Sequence, residues 1–92
     1  MKFQASVWVF QGTGAKFPSA IYSTKENAEK LIKHNKLTGI LTNYPLDAFV
    51  YDWAIENNHF TPQKESESTK EFKQNFTSGS QEHYHYEDGA LD

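Results

Sequence analysis

Two histidines near the carboxyl end are the residues whose type and spacing best suit chemistry. His83 and His85 alternate with two tyrosines. On a β-strand, residues two positions apart lie on the same face, so the two imidazoles would be neighbours. With the carboxylate of Glu82 beside them, they offer ligands that zinc or another divalent ion accepts. A complete site would still need a ligand from a distant part of the chain, such as His34, His59 or an acidic residue.

The same segment has a simpler interpretation. A polar edge strand would turn Tyr84 and Tyr86 inward and leave both imidazoles hydrogen-bonded or facing water. Under this interpretation the protein has no cofactor and no catalytic residue. We favour it, and keep a metal bound by His83, His85 and Glu82 as the alternative.

Aromatic residues among carboxylates form the second group with recognisable chemistry. At protein–protein interfaces, aromatic side chains supply contact area and charged groups steer the partner. The second half of the chain combines both types. The candidate interface residues are Tyr44, Tyr51, Asp52, Trp53, Phe60, Tyr84 and Tyr86.

The charge is distributed unevenly along the chain. Residues 1–46 carry six lysines and two glutamates, whereas residues 47–92 carry three lysines and ten acidic residues. An acidic, solvated carboxyl-terminal region explains this most simply. An acidic surface that docks a basic protein is the alternative.

Composition excludes several classes of protein. The net charge is −3 and there is no arginine, so nucleic acid is an unlikely partner. There is no cysteine, which rules out disulfides and thiolate chemistry. No apolar run approaches the ~18 residues of a membrane span, and no signal-peptide pattern precedes the first strand pattern. We therefore expect a cytoplasmic protein that does not enter the membrane.

The elements that must position these residues follow from apolar periodicity. Residues 3–10 alternate as a strand, with Trp8 and Phe10 sharing a face that we expect to be partly covered. Gly12 and Gly14 predict a hairpin turn into a second strand at 17–22. Although these glycines and Lys16 resemble a phosphate loop, such loops lead into a helix and not a strand.

The first helix has clear start and stop signals. Ser23 and Glu26 form a capping-box pattern, and lysines gather near the carboxyl end of the helix. A third strand is predicted at 39–44. The apolar stripe of the helix comprises Ala28, Leu31, Ile32 and Asn35.

Residues 48–55 alternate well enough for a strand and also carry a helical apolar stripe. We predict a helix, because Asp47 is a suitable N-cap and Asn57-Asn58 suits a left-handed C-terminus. Residues 62–80 are polar, with a possible short helix at 68–75 that holds Phe72 and Phe76 on the body. A late edge strand is predicted at 81–86, and residues 87–92 should fray.

Four stretches of the chain also carry a resemblance: WVF at 8–10 with Gly12 and AKFPS at 15–19, LTGILTNYP at 37–45, VYDWAI at 50–55, and FTSGSQEHYHYEDG at 76–89. Together they resemble a family of small uncharacterised bacterial proteins, a domain of unknown function. The resemblance spans nearly the whole chain apart from residues 63–75. It implies that the histidine-containing segment belongs to the family pattern, and it brings no activity with it.

The sequence thus predicts a single α+β domain in the order β-β-α-β-α. A small antiparallel sheet of three or four strands would carry one or two helices. Residues 1–61 would form its compact core, and residues 62–92 a polar segment of the same domain. The predicted function is a protein-interaction module, such as an immunity-type protein that neutralises a basic partner. The alternative is a small metal-dependent or acid–base enzyme that uses His83 and His85.

Overall fold

A computed structural model describes residues 5–92, and within that range the chain forms an α+β fold. The predicted class is confirmed, but the sheet has five strands instead of three or four. Residues 3 and 4 of the first predicted strand lie outside the described residues. The elements are β1 (Ser6–Gly12), β2 (Ala20–Tyr22), α1 (Lys25–Asn35), β3 (Gly39–Pro45), α2 (Val50–Glu56), a 3-10 turn (Glu65–Ser68), α3 (Lys70–Gln74), β4 (His83–Glu87) and β5 (Ala90–Leu91).

The sheet is antiparallel throughout, with the strand order β2-β1-β3-β4-β5. Its longest ladder joins β1 to β3 over seven residue pairs, from Ser6 opposite Pro45 to Gly12 opposite Gly39. The first half follows the predicted order, and the turn at Gly12–Gly14 joins two strands as expected. β3 lies in the middle of the sheet because it pairs with β1 on one side and β4 on the other.

One face of the sheet packs against α1 and forms the main core. Trp8 and Phe10 of β1 are buried there, on the face that was expected to be only partly covered. The stripe of α1 is narrower than predicted: Ala28 and Ile32 are fully buried, whereas Leu31 is exposed. The complete core cluster is Trp8, Phe10, Ala28, Ile32, Leu41 and Tyr86.

The start of α1 lies one residue beyond the predicted cap. Thr24, and not Ser23, is the N-cap, and its hydroxyl accepts a hydrogen bond of 3.1 Å from the backbone N–H of Asn27. Both residues have hydroxyls that suit the role, so composition alone did not separate them. The helix ends at Lys36, whose φ of 53° is left-handed.

A second aromatic cluster lies around α2. The ambiguous segment is helical as predicted, and Asn58 takes the expected left-handed conformation with φ 62°. Asp47 is not the N-cap; that position is Phe49, which makes no side-chain cap. The cluster consists of Tyr51, Phe60, Phe72 and Phe76, with ring centroids 4.9–6.1 Å apart.

This cluster folds the polar segment back onto α2. The phenolic O–H of Tyr51 donates to the carbonyl of Glu67 at 2.8 Å, which joins α2 to the 3-10 turn. In the turn, the carboxylate of Glu67 accepts from the backbone N–H groups of Gln63 and Lys64 at 2.7 and 3.0 Å. Those two bonds hold the pKa of Glu67 below its ordinary value. The short helix α3 that follows lies within the predicted range 68–75.

The last residues form a strand, so the prediction that residues 87–92 fray is wrong. Asp88 and Gly89 have φ of 49° and 86°, the two consecutive left-handed residues that a tight hairpin needs. The Gly89 N–H also donates to the Leu37 carbonyl at 2.8 Å, which anchors the turn beside the end of α1. β5 consequently pairs with β4 over Tyr86 and Glu87, and β4 is an edge only at its beginning.

Candidate interaction surface

The face of the sheet opposite α1 is the most distinctive surface of the described chain. Burial alternates along β1 and β4, so one set of side chains enters the core and the other set faces outward. The strand register places the outward residues in rows, with Val9 opposite both Ile21 and Thr42. We call this surface the open face; it comprises Val7, Val9, Gln11, Ile21, Ile40, Thr42, Tyr44, His83, His85, Glu87 and Ala90.

The open face is apolar and accessible at its centre. Ile21 is 68% exposed, Ile40 39% and Tyr44 37%. Among the eleven open-face residues, Glu87 near the β5 edge is the single one of the types Lys, Arg, Asp and Glu. An exposed apolar patch on a folded protein commonly marks a site of association, because leaving such side chains in water costs about 25 cal/mol per Å².

The size of the open face can be bounded from strand geometry. Seven-residue strands are about 23 Å long, and five strands span about 19 Å across the sheet. Because β2 and β5 are short, the patch is at most about 450 Å², within the usual range for a functional patch. It is roughly half of what one partner buries in a standard protein interface, so it can form the centre of an interface with a polar rim.

Of the predicted interface residues, Tyr44 is the one that lies on this face. Tyr51 and Tyr86 are each only 4% exposed, so they serve the two cores and offer no contact area in this conformation. Phe60 is half-buried in the α2 cluster. On α2, Asp52 is exposed and Trp53 packs against the His59 ring at 5.1 Å. The predicted set is therefore dispersed over separate parts of the fold.

Tyr84 and Tyr86 belong to a polar network beneath α1. The Tyr86 O–H donates to the Glu29 carboxylate at 2.6 Å, and Lys25 lies 3.8 Å from the same carboxylate. The Lys25 ammonium also sits 3.8 Å from the centroid of the Tyr84 ring, whose O–H donates to Glu82. These contacts connect α1 to the β4 segment and stabilise the packing of the helix on the sheet.

The network also shifts the titration of both phenols. Burial, and then the hydrogen bond to Glu29, raise the pKa of Tyr86 above its ordinary value. The hydrogen bond to Glu82 is the main cause of a raised pKa at Tyr84. Both phenols are thereby kept neutral, in the form that donates the hydrogen bond.

The predicted metal ligands are divided between the two faces. His83 and His85 lie side by side on the open face, with ring centroids 5.7 Å apart, as their spacing predicted. Glu82 instead reaches the Tyr84 hydroxyl on the other face, so it does not complete a site with them. His83 Nδ1 lies 2.7 Å from the Gln81 carbonyl, which makes Nδ1 the proton-bearing nitrogen and leaves Nε2 to face outward.

Across residues 5–92, no group of three or more His, Cys, Asp or Glu side chains is arranged to hold a metal ion. Nor does any helix in that range have the length and apolar character needed to cross a bilayer.

Most of the open-face residues escaped the sequence prediction, among them Val9, Ile21, Ile40 and Thr42. The signal was present, because Ile40, Thr42 and Tyr44 alternate through β3. The sequence did not indicate against which face of the sheet α1 would pack. Either face of an alternating strand can be the buried one until a helix is placed.

The comparison with family models gives a match from residue 7 to the last residue, 92, to a domain of unknown function, DUF7710. The chain belongs to that family. The family assignment agrees with the resemblance noted in the sequence and names no activity. No curated protein and no solved structure matches this DUF7710 chain.

Proposed function

We propose that this DUF7710 chain is a protein-interaction module that binds a partner protein through its open face. The observation that carries the proposal is the accessibility of apolar side chains on one face of the sheet, where Ile21, Ile40 and Tyr44 are all exposed. A sheet that is covered by a helix on one side and apolar on the other gains stability when a second protein covers it.

The partner we propose has an apolar patch bordered by basic residues. Residues 81–92 carry four carboxylates and no lysine or arginine. Lys33 and Lys36 of α1 border the turn between β4 and β5, so the acidic side chain that this end of the sheet presents on the open face is Glu87. Charges at the rim of an interface mainly raise the association rate and discriminate among partners, while the apolar centre provides affinity.

The experiment begins with capture of the partner. A photo-crosslinking amino acid is placed at position 40 on the open face, and in a control protein at position 31 on α1. Leu31 is a matched control because it is 47% exposed, close to the 39% of Ile40, and it lies on the helix that packs on the other face. We expect one protein to crosslink from position 40 and not from position 31.

The captured protein is then purified and its affinity is measured by calorimetry against two variants. Ile40→Lys would bury an unpaired ammonium beside the partner's apolar patch, which costs several kcal/mol. We expect binding to weaken by at least about 30-fold, which corresponds to about 2 kcal/mol. Leu31→Lys should change the affinity by less than about threefold. Equal affinities for the two variants would contradict the proposal.

A further inference from the structure

A pocket of about 420 Å³ lies on the open face, where the turn after β1 meets β3. Its floor is formed by Val9, Ile40 and Thr42, which are neighbours across the β1–β3 ladder. The turn after β1 forms one wall, and Tyr44 lines the pocket farther along β3. The volume falls within the range of about 300–1,000 Å³ typical of pockets that hold a ligand group.

The turn that forms this wall is fixed by its own hydrogen bonds. The Gln11 side-chain amide donates to the Ala15 carbonyl at 2.8 Å, and the Ala15 N–H donates to the Gly12 carbonyl at 3.0 Å. The Thr13 N–H donates to Thr38, just before β3, at 3.1 Å. The pocket thus exists before anything binds, and a preformed site loses less ordering entropy on binding.

The lining selects an uncharged ligand with an apolar body and a polar tip. No Lys, Arg, His, Asp or Glu lines the pocket. Aliphatic side chains cover the floor, while Thr13, Thr42 and Gln11 place hydroxyl and amide groups around them. Indole and phenol rings match this combination, because each has an apolar body with a single N–H or O–H donor that seeks a partner.

Two glycines shape the wall for a flat group. Gly12 and Gly14 present backbone without side chains, so a ring can lie against the peptide planes. At position 14 an added Cβ would meet nothing within 4 Å, so the space beside that glycine is open. Trp and Tyr are also the residues most often found as central anchors of interfaces.

We propose that this pocket receives one tryptophan or tyrosine side chain of the partner protein. The proposal rests on the proposed function, since it names the group that the partner inserts into the open face. It identifies the pocket as the place where binding energy is concentrated, and the surrounding face as the area that excludes water.

The test uses N-acetyl-tryptophanamide as a probe, so it does not require the partner. The probe is titrated into ¹⁵N-labelled protein and amide chemical shifts are followed. We expect saturable shifts confined to residues 9–15 and 40–44, with a dissociation constant on the order of millimolar. N-acetyl-tyrosinamide should act at the same residues, and N-acetyl-leucinamide should bind about tenfold more weakly.

Two filling variants and one control make the test specific. Ala15→Leu in the exposed turn and Thr42→Phe on the floor both reduce the pocket, by changes at different elements, so one remains informative if the other disturbs the fold. Each variant should bind the probe about tenfold or more weakly than the unsubstituted protein does. His85→Phe replaces the imidazole by a larger apolar ring on the same face, outside the pocket lining, and should leave the probe's affinity unchanged.

Three results would overturn the inference: no saturable shift, equal binding of the leucine probe, or tryptophan binding that survives both filling variants. Any of these outcomes would leave the proposed function standing if Ile40→Lys still weakened binding of the partner protein. Conversely, if the probe binds as expected while Ile40→Lys has no effect on the captured partner, the proposed function fails on its own.

Discussion

The β1–β3 ladder builds the open face, and a single glycine tests its register. Gly39 is buried opposite Gly12 at the end of that ladder. A Cβ added at position 39 would meet the Gln11 carbonyl oxygen and would lie 2.8 Å from both Gly12 Cα and Phe10 Cζ. Two of these three atoms are backbone, so they cannot move aside without breaking strand pairing.

The magnitude follows from two opposing terms. Overpacking a core typically costs about 1–3 kcal/mol, and contact with backbone places Gly39→Ala toward the upper end. Alanine also restricts the unfolded chain more than glycine does, which stabilises the folded state by about 0.4–1 kcal/mol. The expected net loss is about 2 kcal/mol. For a domain of this size that lowers the melting temperature by about 8–16 °C.

Thermal unfolding followed by tryptophan fluorescence measures this change. Gly79→Ala is the matched control, because an added Cβ there meets nothing within 4 Å and Gly79 is not among the glycines with positive φ. The control should be neutral or slightly stabilising. If Gly39→Ala melts at the same temperature as Gly79→Ala, the close β1–β3 approach described here is wrong.

Three further predictions concern the supports of the sheet. Tyr86→Phe removes the 2.6 Å hydrogen bond to Glu29, and urea denaturation should show a loss of about 1.5–3 kcal/mol; an unchanged midpoint would contradict that role. Because the pKa of Tyr86 is raised in the folded state from 10.0, the contribution of this phenol to stability should be constant below pH 10 and fall as the pH rises above it, since the unfolded chain then loses the proton first. The fall should be smaller in Tyr86→Phe, and parallel profiles would argue against the assignment. Phe72→Ala removes a ring that contacts Tyr51, Phe60 and Phe76. Hydrogen exchange should therefore accelerate in residues 65–76 while β1 and β3 stay protected; equal acceleration in both would contradict a separate cluster.

Local patterns predicted the first half of the fold well. The alternation in β1, the turn glycines and the stripe of α1 each depend on residues close in sequence. The first two appear in the structure as predicted, and the stripe appears in part, at Ala28 and Ile32. The helix at α2 was also decided locally, by its left-handed Asn58. Where two neighbouring residues have the same chemistry, as at Ser23 and Thr24, the local signal could not choose between them.

Contacts between distant segments explain what the sequence left undetermined. The strand β5 depends on Asp88-Gly89, a hairpin signal that the frayed-end expectation overlooked. The burial of Tyr51 depends on Phe60, Phe72 and Phe76, which approach it only after the polar segment folds back. Tyr51 and Tyr86, which look like interface anchors in the sequence, are therefore core residues. The accessible face could be identified only once α1 was placed.

Oxidative footprinting of side chains, in the free protein and in its purified complex with the crosslinked partner, tests the central claim most directly. The measured quantity is the oxidation rate of each side chain, which follows its exposure to solvent. We predict that Ile40 and Tyr44, exposed in the free protein, become protected in the complex, while Leu31 on α1 keeps its rate. Protection of Leu31 with unchanged rates at Ile40 and Tyr44 would contradict binding through the open face.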